Sequence, residues 1–287
     1  MSNRSQRALI AQQTLQILET GAYSVAGQNV SIREPLEATM AGTQLYTPDA
    51  LDELQRLMPR SRSVPTKFRV TNETTLAAAR RQVTVDSHLL CLNFASAKNP
   101  GGGFLGGSQA QEESLARATG LYASLQQQPD YYAANRNQSG HGMYTHHLIY
   151  SPGVPVFRDD DDELLPEPYC VSMVTSPAVN AGAVRKNAAD QVPAIEPTMK
   201  QRMRFVLAVA LAHGYQHLIL GAWGCGVFRN DPVDVARWFA DVLGDESDFG
   251  GCFAQVDFAV LDRTSDLTTL RAFQNQFGSA DDRWAAS

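Results

Sequence analysis

The chain has 287 residues, 44% hydrophobic and 19% charged, with a formal charge of −6; this is the make-up of a globular protein, neither disordered nor fibrous. No lysine or arginine block offers a basic face to a long phosphate backbone such as DNA, and no apolar run approaches the roughly 20 residues needed to cross a bilayer. A small anionic ligand is still compatible with that charge, held by backbone N–H groups and helix N-termini.

In chain order, MSNRSQRALIAQQTLQILETG is too polar for a secretory signal and predicts an amphipathic helix with Ala8, Ala11, Leu15 and Leu18 on one face. Tyr23 and Val25, then Val30 and Ile32, alternate around AGQN and predict a small hairpin. A helical segment is expected after Pro35, and another after Thr47 as N-cap with Pro48 at the first helical position. PRSRSVPTK, with Pro59 and Pro65, reads as a linker. Residues 1–66 therefore read as a mostly helical accessory extension that carries no nameable chemistry.

From residue 67 to 278 strands and helices alternate: FRVTN then TTLAAARRQV, and HLLCLNF then EESLARATGLYASL as one helix. A polar, loop-rich segment spans 126 to 147, followed by the strand-like IYSPGVPVF and YCVSMVTSPAV. The helix PTMKQRMRFVLAVALAHG, the strand HLILGAW, the helix PVDVARWFADVLG, the strand QVDFAVLD and the helix DLTTLRAFQNQF complete the domain, and 279–287 form a tail. This order predicts an α/β fold with a mixed, mainly parallel central sheet and helices on both faces. Ligands of such sheets bind beyond the carboxyl ends of the strands, where two glycine loops fall. Cys91, Cys170, Cys225 and Cys252 are widely spaced without a CxxC pair and read as buried free thiols in a reducing cytoplasm.

The first loop lies in CLNFASAKNPGGGFLGGSQAQEESLARATG, where Gly101, Gly102 and Gly103 let backbone approach a ligand and Glu112 and Glu113 open a helix. Ser108 and Gln111 have the spacing of a capping box, which would start that helix near residue 109. Adjacent helical residues point about 100° apart. The pair is thus ill placed to flank one bond from opposite sides, and suits one carboxylate in acid/base work beside one holding a hydroxyl. The second loop, GAWGCGVFRNDP, follows a strand and ends at Asp231 and Pro232, which read as the N-cap and first position of the next helix; Gly224 and Gly226 allow a turn whose N–H groups face one anion. Phe228 in that loop is placed either for the core or to stack on a sugar or base. Neither loop fits the dinucleotide fingerprint or GxxxxGK[ST]. His141, His146 and His147 lack HExxH and a nearby cysteine, so they read as loop histidines, and Asp159 to Glu163 as a solvated turn.

NPGGGFLGGSQAQEE resembles the GGG…QEE signature of the poly(ADP-ribose) glycohydrolases, and GAWGCGVFRNDP resembles the diphosphate-binding loop of that family's bacterial branch. The likeness spans about residues 67–278. It implies a macrodomain-like three-layer α/β/α fold and hydrolysis of the ribose–ribose O-glycosidic bond of poly(ADP-ribose), mainly from the chain terminus, to release ADP-ribose. By the same resemblance Glu113 is the general acid/base acting through an oxocarbenium-like state, Glu112 orients ribose hydroxyls and Gln111 supports the pair. Asn99, Gly101, Gly102 and Gly103 hold the distal ribose and nearby phosphate. Gly224, Cys225, Gly226 and Val227 supply diphosphate N–H groups, and Phe228 packs on the sugar. No metal or cofactor is implied; the partners are poly(ADP-ribose) or ADP-ribosylated proteins, met by a cytoplasmic monomer that reverses ADP-ribosylation in the DNA damage response. The alternatives are a non-catalytic ADP-ribose-binding macrodomain and a hydrolase of mono-ADP-ribosylated protein.

Overall fold

The computed structural model describes residues 3–57, 65–83, 88–138 and 141–278. The expected linker lies largely, and the expected tail wholly, outside the described residues. Helix α1 (Arg4–Thr20) starts at a capping box in which the side chains and N–H groups of Asn3 and Gln6 bond reciprocally, and it stops at Gly21. The hairpin β1 (Ala22–Val25) and β2 (Gln28–Ser31) follows, then α2 (Arg33–Gly42), the short β3 (Gln44–Tyr46) and α3 (Pro48–Leu57). Next come β4 (Lys67–Thr71), α4 (Thr75–Gln82) and β5 (Leu89–Phe94). A 3-10 turn (Phe104–Gly106) leads to α5 (Gln111–Ala118), α6 (Leu121–Leu125) and α7 (Pro129–Asn137). The long strands β6 (Leu148–Arg158) and β7 (Leu164–Ser176) precede α8 (Ala181–Asn187) and α9 (Ile195–Ala212). The chain closes with β8 (His217–Leu220), α10 (Pro232–Leu243), β9 (Gln255–Ala259) and α11 (Thr268–Phe277).

Two compact units result, and they do not divide at residue 66 as the sequence suggested. The first comprises residues up to 46, 93–137 and 147–176. Its strands β3, β6 and β7 pair antiparallel, with Leu45 opposite Ile149 and Ile149 opposite Thr175. Ile17, Tyr23, Ile32, Leu36, Ala123 and Phe157 form an apolar core there, so the start of the chain is integral to this unit. The second unit comprises 47–92, 138–146 and the residues from 177 onward. Its strands run β5, β8, β9, β4 in parallel, with Cys91 opposite Ile219, Ile219 opposite Asp257 and Asp257 opposite Arg69. Leu218, Ile219 and Leu220 are all buried, as expected of a parallel strand covered on both faces, and Phe258 stacks on Phe277 of α11 at 4.3 Å. The mixed, mainly parallel character predicted from the element order is therefore observed.

Four local expectations are corrected. EESLARATGLYASL is two helices, because Thr119 is extended and bridges Val156 while the Gly120 N–H donates to the Pro155 carbonyl. The polar segment 126–147 contains α7, whose buried face is Tyr131, Tyr132 and Asn135 and so shows no aliphatic period. On α1 the buried residues are Ala11, Thr14 and Ile17, since the Thr14 hydroxyl donates to the Arg117 carbonyl at 2.7 Å and draws that face inward. All four cysteines are free thiols, but only Cys91 and Cys252 are buried; Cys225 is half-buried and Cys170 is exposed on β7.

Candidate active site

In the first unit the last residues of β5, Asn93 and Phe94, lead into the glycine loop, and α5 returns two carboxylates to it. The capping box expected of Ser108 and Gln111 does not form: Ala110 precedes the helix without a side-chain cap bond, and Gln111 Oε1 instead accepts the Phe94 N–H at 2.8 Å. That bond ties the helix start to the end of β5. Gly102 sits at φ 60° with its N–H on the Asn99 carbonyl at 3.0 Å, and a Cβ there would collide with Glu113 Oε1. Only glycine fits this backbone beside the carboxylate.

Glu112 and Glu113 occupy the first turn of α5 and have different surroundings. Glu112 is 2% exposed. Its Oε2 accepts the Ser96 N–H at 2.6 Å and its Oε1 accepts from Asn93 Nδ2 at 3.3 Å, while Asn93 Nδ2 also reaches Thr175 Oγ1 at 3.1 Å. Burial pushes the Glu112 carboxyl up to about 8, against the lowering pull of the Ser96 N–H and Asn93 and with help from the charge of Glu113. Glu113 is half-buried, and its Oε1 accepts the Gly103 N–H at 3.0 Å. A raised proton affinity and access are thus split between two adjacent side chains. Asn99 is exposed, with its N–H on Ser96 Oγ at 3.1 Å.

Sequence reasoning missed Asn93, Ser96 and Tyr132. Asn93 had a signal: a polar residue within LLCLNF, a run buried from Leu89 to Asn93, must find a partner. Tyr132 lies on a helix that was not foreseen; it is buried, and its hydroxyl is raised chiefly by burial and further by Tyr131 and Glu112.

In the second unit Gly224 takes φ 77°, and a Cβ there would run into Ala178 Cβ at 2.6 Å. Asn230 clamps the turn, its Nδ2 donating to the Val179 and Gly224 carbonyls at 2.8 and 3.1 Å. Within the loop the Cys225 N–H is used on the Ala222 carbonyl at 3.2 Å, whereas among the described residues those of Gly224, Gly226, Val227 and Phe228 make no such main-chain bond. Asp231 caps α10 as predicted, accepting the Val233 N–H at 2.8 Å. Phe228 is half-buried, its ring 6.0 Å from that of Tyr144. Buried Arg202 holds Tyr144 in place through its carbonyl at 2.9 Å. Among the described residues no three His, Cys, Asp or Glu side chains gather as metal ligands would, and no helix is long and apolar enough to cross a membrane.

The family described as microbial-type PARG, catalytic domain, matches residues 11–159. The chain is similar to the crystal structure of poly(ADP-ribose) glycohydrolase from Thermomonospora curvata, with a TM-score of 0.90 and 48% identity over 96% of this chain and 100% of that one. The same Thermomonospora protein bound to the inhibitor ADP-HPD gives 0.89 and 47% over the same shares. Poly(ADP-ribose) glycohydrolase from Deinococcus radiodurans in complex with ADP-ribose gives 0.79 and 51%, over 88% of this chain and 98% of that one. A comparison with curated protein sequences gives no match.

Proposed function

The chain belongs to the microbial-type poly(ADP-ribose) glycohydrolases, and from that membership we propose a mechanism in which Glu113 acts as general acid and base. The enzyme is a glycosidase that cleaves the ribose–ribose O-glycosidic bond of poly(ADP-ribose) and releases ADP-ribose. The observation that carries the assignment is the contrast within the pair: Glu113 is half-buried and held by one main-chain N–H, whereas Glu112 is buried with both oxygens engaged. Glu113 gives its proton to the departing ribose oxygen as the C–O bond breaks. The oxocarbenium-like centre then takes up water, whose proton returns to the Glu113 carboxylate, so one water is consumed per bond. The neighbouring diphosphate of the substrate stabilises the developing positive charge.

Glu112 orients the ribose hydroxyls, and its raised proton affinity keeps its own negative charge away from a diphosphate substrate at neutral pH. Gln111 fixes the helix start, and Asn99 with Gly101, Gly102 and Gly103 receives the distal ribose. The N–H groups of Gly224, Gly226 and Val227 hold the diphosphate, with Cys225 shaping that turn, and the Phe228 ring packs on the sugar. The same reading takes the fold as macrodomain-like and the protein as a monomer acting on polymer termini.

The test is incubation of the purified protein with poly(ADP-ribose), resolving products by size, beside Glu113→Gln. Wild type is expected to release single ADP-ribose units, and the variant to lose about 10²- to 10⁴-fold in turnover while still binding ADP-ribose. Binding without release by the wild type would make the chain a reader module. Turnover only of protein-linked single units would make it a mono-ADP-ribosyl hydrolase.

A further inference from the structure

Four arginines donate to main-chain carbonyls of the segment that carries the glycine loop. Arg136 Nη1 reaches the Lys98 carbonyl at 2.7 Å, Arg4 Nε that of Gly106 at 2.9 Å, Arg7 Nε that of Gly107 at 2.9 Å and Arg117 Nη1 that of Ser108 at 2.8 Å. They come from three helices, α7, α1 and α5. The loop also makes short-range bonds of its own, with the Gly106 and Ser108 N–H groups on the Gly103 carbonyl and the Gly107 N–H on that of Phe104, and its Gly101 and Gly103 N–H groups meet Glu112 and Glu113. One side chain anchors it from within: Phe104 is fully buried against Ala11 and Ala116, with its ring 4.8 Å from Tyr122. Helix α1 sits so close that a Cβ at Gly107 would strike the Arg4 carbonyl.

Three consecutive glycines are costly to hold in one conformation. Yet the Gly103 N–H must stay on Glu113 for the carboxylate to keep its aim. The geometry points to Arg4, Arg7 and Arg136 as positioning residues for the glycosidase reaction, clamping both ends of the glycine loop so that Gly103 stays on Glu113. This rests on the assignment of Glu113 above, and it gives the start of the chain, which the sequence left without chemistry, a part in catalysis. Arg117 belongs to the same clamp, but it is buried and also pairs with Asp162 at 3.7 Å, so its loss would disturb the unit itself.

The test uses the full chain with Arg4→Ala, Arg7→Ala and Arg136→Ala, singly and together, and a triple Lys variant that retains one donor per site. Since misplacing a reacting group by about 1 Å can cost about 10²-fold, each single change should lower kcat about 3- to 10-fold and the triple about 30- to 100-fold, with KM within about twofold. The Lys triple should recover a substantial part. Amide hydrogen exchange across residues 98–108 should run about tenfold faster in the Ala triple.

Unchanged kcat would overturn the proposal. So would a raised KM with kcat intact, which would instead mean that the arginines grip the polyanionic polymer. A Lys triple no better than the Ala triple would remove the hydrogen-bond basis. The exchange readout needs no turnover: faster exchange in the Ala triple of a protein whose wild type is inert would sink the glycohydrolase reading and leave the clamp standing, whereas unchanged exchange would remove the clamp whatever the activity.

Discussion

Glu112→Gln isolates a proton that folding traps. The Glu112 carboxyl titrates near 8 in the folded chain instead of near its ordinary 4.5, because burial removes it from water more than the Ser96 N–H and Asn93 can offset. Between those two pH values the folded state holds a proton that the unfolded state has released. Stability must therefore fall as pH rises through this window, and it reaches its low plateau above about 8. At about 1.4 kcal/mol per pH unit the wild type should lose about 3 kcal/mol between pH 5.5 and 9 through this group alone. Glu112→Gln has the same shape and can still accept the Ser96 N–H, but it has no proton to lose. The Asn93 Oδ1, buried without a partner, can turn to meet the new amide. Urea denaturation of both proteins at several pH values, at constant ionic strength, gives the difference directly. The variant should gain on the wild type by about 3 kcal/mol from pH 5.5 to 9, well outside the 10–15% uncertainty of the extrapolation. Parallel stability curves would refute the reasoning and mean that Glu112 is ionised across the range.

Three further substitutions probe the loops. Gly102→Ala places a methyl at φ 60° against Glu113 Oε1, and should cost about 1–2 kcal/mol of stability and at least about tenfold in kcat, measured by denaturation and turnover. Gly224→Ala forces a side chain onto Ala178 at φ 77°; ADP-ribose affinity by titration calorimetry should weaken by about tenfold or more. Phe228→Ala leaves the Asn230 clamp intact and removes the ring beside Tyr144, so kcat/KM should fall about tenfold while the melting temperature stays within a few degrees.

Local chemistry was legible in the sequence wherever neighbours along the chain decide the outcome. The stop of α1 at Gly21, the Pro48 helix start, the Asp231 cap on α10 and the carboxylate pair in the first turn of α5 all follow from short-range rules, and each is found. The strand and helix alternation likewise announced a mixed sheet, because apolar runs such as LLCLNF and HLIL have few other places to go.

What only the tertiary structure decided depends on partners far apart in the chain. Gln111 abandons Ser108 for the Phe94 N–H, because β5 lies beside the helix start and offers a buried donor that needs satisfying. The two glutamates have the same residue type and adjacent positions, yet the helical turn between them sends one inward to Asn93 and Ser96 and leaves the other within reach of solvent. Composition carries no trace of that difference, since desolvation is a property of the packed neighbourhood. Arg4 and Arg7 meet the glycine loop about a hundred residues downstream, and that contact makes the start of the chain part of the unit that holds the carboxylates.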